Sequence, residues 1–330
     1  MKISGLMFAG LLTIAAVAPA LGQEVKLTLS HNAAPGNPKD EGSKHFAACA
    51  AEKCSGRIEV QVAGSATLGD DAASITGLRT GSIDMSANSQ GPISAAVPEF
   101  SALGMPYLFT SSEHAWKVLD GPIGEELAKK AEAKGMILLG IMDNGIRHTS
   151  NNKHPINTPA DVAGLKIRTP PDPATVAIFK ALGADPQPLK FSELYMALQQ
   201  GVVDGQENPL MNIHSSKLYE VQKFISLTGH KYETTPFLFS KRSWGRLEDA
   251  DKQVIQACAK DAVTFQRNMV LETEKRLMTE MPTLGVQMNE VDREPFRKAT
   301  ESVLDEAYKS DIGEFVREVV TKANETRGQS

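Results

Sequence analysis

Val25-Lys26-Leu27-Thr28-Leu29-Ser30, then Asn37-Pro38 opening a run to Lys53, then Ile58-Glu59-Val60-Gln61-Val62, is the stretch that decides the fold. Val25, Leu27 and Leu29 alternate with polar residues, the period-two pattern of a half-buried strand. Asn37 suits an N-cap and Pro38 the first helical position, where a missing N–H costs nothing. The helix runs to about Lys53 and stops near Gly56. Ile58, Val60 and Val62 then alternate again. Strand, helix and strand at this length make a βαβ unit, whose strands pair in parallel.

The pattern continues outward. A helix follows Asp70-Asp71 and ends at Gly81, and 83–87 reads as a short strand. A helix over 112–134 precedes an apolar strand over 136–141. After Thr158-Pro159 the alternation restarts: strand 165–169, helix 173–182, helix 192–200 stopped by Gly201, a short strand opened by Val202-Val203, and strands at 224–227 and 237–240. Val254, Cys258, Ala262, Phe265 and Met269 then form one apolar stripe at helical spacing. A helix over 248–281 would be roughly 50 Å long, enough to brace two domains. Two amphipathic helices finish the chain. Alternating strands and helices predict an α/β fold with mainly parallel sheets, in which ligands bind beyond the carboxyl ends of strands and between domains.

The 330 residues are 41% hydrophobic and 23% charged, ordinary globular values that exclude a disordered or fibrous chain. The length predicts two domains. A net charge of −5 and 6% aromatics argue against a nucleic-acid partner, which demands a basic surface or stacking platforms. Lys2, the apolar run 6–17 and Ala20-Leu21-Gly22 read as a secretory signal peptide over 1–22, leaving Gln23 first in the mature chain. No later run is long and apolar enough to span a bilayer, so a soluble mature protein is expected. Of three cysteines, Cys49 and Cys54 either bridge in an oxidising compartment or remain inert buried thiols; their spacing matches no redox or zinc motif.

Catalytic signatures are missing: the sequence holds no GxSxG, HExxH, Walker A or helix-opening GxGxxG, and its histidines are scattered. We therefore expect no enzyme activity, no cofactor and no metal. Arginines at strand ends stand out instead. Arg147 lies in Asp143-Asn144-Gly145-Ile146-Arg147-His148-Thr149, and Arg168 ends Leu165-Lys166-Ile167-Arg168. A guanidinium fork suits a carboxylate because it donates two parallel hydrogen bonds; a structural ion pair is the alternative role. Asn208, in Gly205-Gln206-Glu207-Asn208-Pro209, offers a carbonyl and an amide to a ligand or forms an ordinary polar turn.

Several of these segments together resemble the solute-binding proteins of TRAP (tripartite ATP-independent periplasmic) transporters. They are the signal peptide, Gly69-Asp70-Asp71, Gly164-Leu165-Lys166-Ile167-Arg168, Phe191-Ser192-Glu193-Leu194-Tyr195, Val203-Asp204-Gly205-Gln206-Glu207-Asn208-Pro209 and Tyr219-Glu220-Val221-Gln222-Lys223-Phe224. The resemblance covers the mature chain in order. It implies a two-domain periplasmic binding protein, type II-like, with a hinge cleft that closes over an organic acid for delivery to membrane permease subunits. The expected division is 23–145 plus 234–273 for the first domain and 146–233 plus 274–330 for the second. By position, Arg168 matches the family's carboxylate clamp, Arg147 a second arginine near the same acid, and Asn208 the asparagine completing that site. Phe191 matches an aromatic lining residue and Asn32 a first-domain loop residue. Asp71 and His230 match cleft positions of the sialic-acid branch. Where that branch carries a glutamate, this chain reads Asn88-Ser89-Gln90, which points away from sialic acid. With Asn32, these polar residues suit a hydroxylated ligand: a sugar acid such as a hexuronate first, a C4-dicarboxylate or other small organic acid second.

Overall fold

The computed structural model describes residues 24–328, so the expected signal peptide lies outside the described residues. The chain runs β1 (Val25–Ser30), α1 (Pro38–Lys53), β2 (Ile58–Ala63), α2 (Asp71–Thr80), β3 (Met85–Ala87), α3 (Gln90–Ile93), α4 (Ser112–Leu119), α5 (Pro122–Ala133) and β4 (Met136–Asn151). It continues with β5 (Lys166–Thr169), α6 (Pro173–Ala181), β6 (Asp185–Pro188), α7 (Leu194–Gln199), β7 (Gly205–Asn208), α8 (Leu210–Ser215) and β8 (Phe224–Ser240). Last come α9 (Lys241–Trp244), α10 (Asp249–Glu280), β9 (Gln287–Asn289), α11 (Arg293–Ala299), α12 (Glu301–Ala307) and α13 (Gly313–Thr326).

One mixed sheet carries the architecture, in the order β2-β1-β3-β8-β4-β7-β5-β6, with β9 also on β8. The outer pairs β1–β2, β1–β3, β5–β6 and β5–β7 are parallel, as the βαβ reading requires. The centre is antiparallel: the two long strands β4 and β8 pair from Met136↔Ser240 to Asn151↔Phe224. Three register shifts interrupt them, at Leu138/Gly140, Asp143/Gly145 and Arg147/Thr149. The middle shift falls on Gly145, whose φ of 95° a side chain would strain.

Differences from the sequence reading follow simple rules. The apolar strand expected over 136–141 continues through polar residues to Asn151, and the strands expected at 224–227 and 237–240 are the ends of one strand. The helix expected over 112–134 is two, because Gly121-Pro122 ends one and starts the next. Three helices, not two, follow β9.

Asn37 caps α1 as read, accepting from the Lys39 N–H, and Asp70 caps α2 by accepting from the Ala73 N–H. A Cys49–Cys258 disulfide fastens α1 to α10, with Cα atoms 5.7 Å apart. The candidate partner Cys54 is a free thiol at the C-cap of α1; packing of α10 along α1 sets Cys258 against Cys49 instead. Helix α13 packs its Phe315, Val316 and Val319 into the core that holds Leu103, Val118, Met136 and Leu238.

Candidate functional site

A small cavity opens beyond the ends of the parallel strands, lined by Asn32, Asp71, Ser89, Arg147, Arg168, Phe191 and Asn208 among others. Seven of the sequence-expected residues thus meet around one space. Asn32 stands in the loop after β1, Asp71 at the first turn of α2, Ser89 just before α3, Arg168 in β5 and Asn208 at the end of β7. The loops that follow parallel strands converge there by topology.

Arg168 is 2% exposed. Its Nε and Nη2 donate to the Leu189 carbonyl at 2.9 and 2.7 Å, which fixes the plane of the fork. The Phe191 ring lies 5.8 Å from its Cζ. Among the described residues it makes no ion pair and its Nη1 makes no hydrogen bond. Burial therefore lowers its pKa to about 10, against the attraction of Glu207.

Arg147 is buried too, and fully engaged. Its Nη2 donates to Glu207 Oε1 at 2.6 Å, to the Glu207 carbonyl at 2.7 Å and to Asn208 Oδ1 at 3.2 Å, and its Nη1 reaches Glu233 Oε2 at 2.9 Å. Burial opposes this charge, yet Glu207 and Glu233 outweigh it and raise the arginine above its ordinary value. Burial likewise works against Glu207, but Arg147 and His230 hold that carboxyl down at about 2. Lys231, sealed behind Glu233, pairs with Asp172 at 2.6 Å. Removing one member of such a network would strand a buried charge.

Asn88, Gln90 and His230 do not line the cavity. Asn88 turns its amide to Ser86 Oγ at 3.0 Å. Gln90 accepts from the Thr234 N–H and hydroxyl at 2.9 and 2.7 Å, stitching α3 to β8. His230 lies behind Arg147, with Nε2 3.1 Å from Glu207 and Nδ1 2.9 Å from Thr228; burial lowers its pKa. Sequence reasoning missed Asn37, Asn212, Ser215 and Glu233 on the wall. Asn37, read only as a cap, also donates to Asn212 Oδ1 at 2.9 Å and Ser215 Oγ at 3.1 Å. Glu233 sits in a buried strand reading His230-Lys231-Tyr232-Glu233, and charges alternating inside a strand flanked by apolar ends are the signal that would find it.

Among the described residues, no group of His, Cys, Asp or Glu side chains is placed to hold a metal ion, and no helix is long and apolar enough to cross a membrane. The arrangement offers an uncommitted guanidinium for an anion and a ring of amides and hydroxyls for a polar body.

The profile of the bacterial extracellular solute-binding proteins, family 7, matches residues 29–311. The Sinorhizobium fredii protein y4mM, itself uncharacterized, is 53% identical over 280 residues, 84% of this chain and 52% of its own length, so the chain spans about half of that relative. A TRAP periplasmic solute-binding protein from a Polaromonas species, solved with bound D-erythronate, superposes with a TM-score of 0.87 at 38% identity, covering 90% of this chain and 98% of that one. The sugar acid binding protein DctPAm of Advenella mimigardefordensis, solved with galactonate, does so with a TM-score of 0.90 at 32% identity, covering 92% and 99%.

Proposed function

The chain belongs to the bacterial extracellular solute-binding proteins, family 7, the solute receptors of TRAP transport, and from that premise we propose that it captures a sugar acid in the periplasm and hands it unchanged to a membrane permease. The observation that carries this reading is Arg168: a buried guanidinium, held rigid by one backbone carbonyl, facing a cavity with no acidic partner of its own. Desolvating a charge without a counter-ion is costly, and a ligand carboxylate removes that cost. Nη1 and the remaining N–H of Nη2 supply the fork that a carboxylate accepts.

In this reading Arg147 shapes the wall and steadies Asn208, while Phe191 flanks the clamp. The polar lining suits hydroxyls, in keeping with the erythronate and galactonate held by similar proteins. Residues 23–145 plus 234–273 and 146–233 plus 274–330 would form two lobes, with α13 seated back on the first as a brace. β4 and β8 are the strands that cross between them. The register shifts at Asp143/Gly145 and Arg147/Thr149 are then the natural flexing points, since a bulge bends a strand without breaking it. A ligand touching both lobes favours the closed state through its differential affinity.

Mass spectrometry of ligand released by denaturing freshly purified protein, followed by calorimetric titration with hexuronates and aldonates, tests the reading. Small-angle scattering should show compaction on saturation. Multiple-turnover conversion of a bound acid, or a protein that binds no carboxylate, would sink it.

A further inference from the structure

Two residues adjacent in sequence stand in opposite circumstances at the start of α2. Asp70 is fully engaged: it accepts from the Ala73 N–H at 2.9 Å and pairs with Lys190 at 2.8 Å. Asp71 is not. Its Oδ2 accepts from Asn32 Nδ2 at 3.0 Å, but its Oδ1, shielded from solvent, has no hydrogen-bond partner. Beside it lies Lys39, a buried ammonium that makes no ion pair among the described residues and donates to Asn32 Oδ1 at 3.3 Å. One asparagine amide therefore joins an unpaired cation to a half-satisfied carboxylate. Asp71 and Asn32 line the cavity; Lys39 does not.

We propose that Asp71, steadied by Asn32 and Lys39, is the specificity-determining group of this cavity: its open oxygen takes a hydrogen bond from a ligand hydroxyl and its charge turns away a second carboxylate, so the protein selects hydroxylated monocarboxylates over dicarboxylates. The inference rests on the reading that Arg168 anchors an acid in the same cavity.

Charge balance supports it. The buried cations around the cavity are Lys39, Arg147, Arg168 and Lys231; the carboxylates are Asp71, Asp172, Glu207 and Glu233. The set is even before any ligand enters. Arg147 and Lys231 are committed to Glu207, Glu233 and Asp172. Of the cations on the wall only Arg168 remains open, so it serves one carboxylate. A second would find no free cation there and would face Asp71, which feels the charge of Arg168 across the same space. A carboxylate oxygen left without a donor is costly in a shielded site, and a hydroxyl supplies what it lacks. Sites of this kind discriminate strongly, because the wrong ligand leaves the buried group unpaired.

Matched four-carbon acids separate the contributions: erythronate carries hydroxyls and one carboxylate, butyrate one carboxylate alone, succinate two. Titrating wild type should show erythronate bound at least about tenfold more tightly than either of the others. Asp71→Ala should weaken erythronate by roughly ten- to a hundredfold, leave butyrate within about threefold and improve succinate. Asp71→Asn, uncharged but still an acceptor, should recover part of the erythronate affinity while admitting succinate. Thermal melts check that each variant is folded. An Asp71→Ala protein whose erythronate-to-succinate preference stays within about threefold of wild type, or a wild type that prefers succinate, overturns the inference and leaves acid capture standing. A wild type that binds none of these acids, nor galactonate, overturns acid capture itself.

Discussion

Arg147 and Arg168 lie two strands apart in one sheet, with β7 between them, and both are all but sealed from water. Arg147 has two carboxylates and a carbonyl within hydrogen-bond reach; Arg168 has one carbonyl and an aromatic ring. Residue type and burial are the same; the surroundings differ, and with them the role we propose for each. A buried charge that already owns its counter-charges holds the fold together. A buried charge without them carries an electrostatic cost that a ligand can relieve.

Removing the paired arginine gives the largest effect. Arg147→Ala leaves Glu207 and Glu233 buried beside an empty space, and the expected loss is about 3–5 kcal/mol of stability. Urea melts of ligand-free protein measure it directly. A variant as stable as wild type would erase the distinction between the two arginines.

The unpaired arginine should respond the other way. Arg168→Ala removes a desolvated charge and strands no acid, so the ligand-free melting temperature should hold or rise. Affinity for the acid should fall at least about a hundredfold, roughly 3 kcal/mol. Arg168→Lys keeps the charge but loses the fork and should fall between. If calorimetry instead finds binding within a few-fold of wild type and the melt finds a large loss of stability, Arg168 is a structural residue like its neighbour.

The same contrast explains what could be read from residues alone. β1, α1, β2 and α2 announce themselves through alternation and caps, because one of their faces meets water; α10 is legible as a helix, but its buried face runs through Ile255, Ala259, Val263 and Val270 beside Cys258 and Ala262, and Phe265 of the expected stripe is exposed. The inner parts of β4 and β8 do not. Asp143, Asn144, Arg147 and His148 on one strand, and His230, Lys231 and Glu233 on the other, are buried polar residues; Arg147 meets Glu233 across the sheet, while the rest find partners such as Trp116, Ser89, Glu207 and Asp172 on other elements. A polar run inside an apolar chain reads as a loop, so both strands look shorter than they are. Arg168 was legible as a strand-end arginine, but that it lacks a counter-ion is a property of space. Cys258 looks like any other residue of the α10 stripe, and only the packing of α1 makes it the partner of Cys49.

Asp71 sharpens the comparison from the acidic side, with the smallest expected effect. Like Arg168 it faces the cavity carrying a charge that nearby groups do not fully answer. Burial pushes its pKa up to about 6, against the pull of Lys39. The sign follows from linkage. The folded state holds its proton more tightly than the unfolded chain, so Asp71 adds no penalty below the unfolded value near 4. The penalty grows as pH rises and is fully present above about 6. Asp71→Asn removes the ionisation altogether. The ligand-free variant should therefore match wild type near pH 4 and exceed it by on the order of 2 kcal/mol at pH 7.5. The affinity for a hydroxylated acid should fall in the same variant. Stability gained and binding lost at one position is the mark of a charge kept for a ligand. Denaturant melts across pH 4–8 settle the matter: if the wild-type and Asp71→Asn curves stay parallel, Asp71 is already paired in solution and belongs with Arg147, not with Arg168.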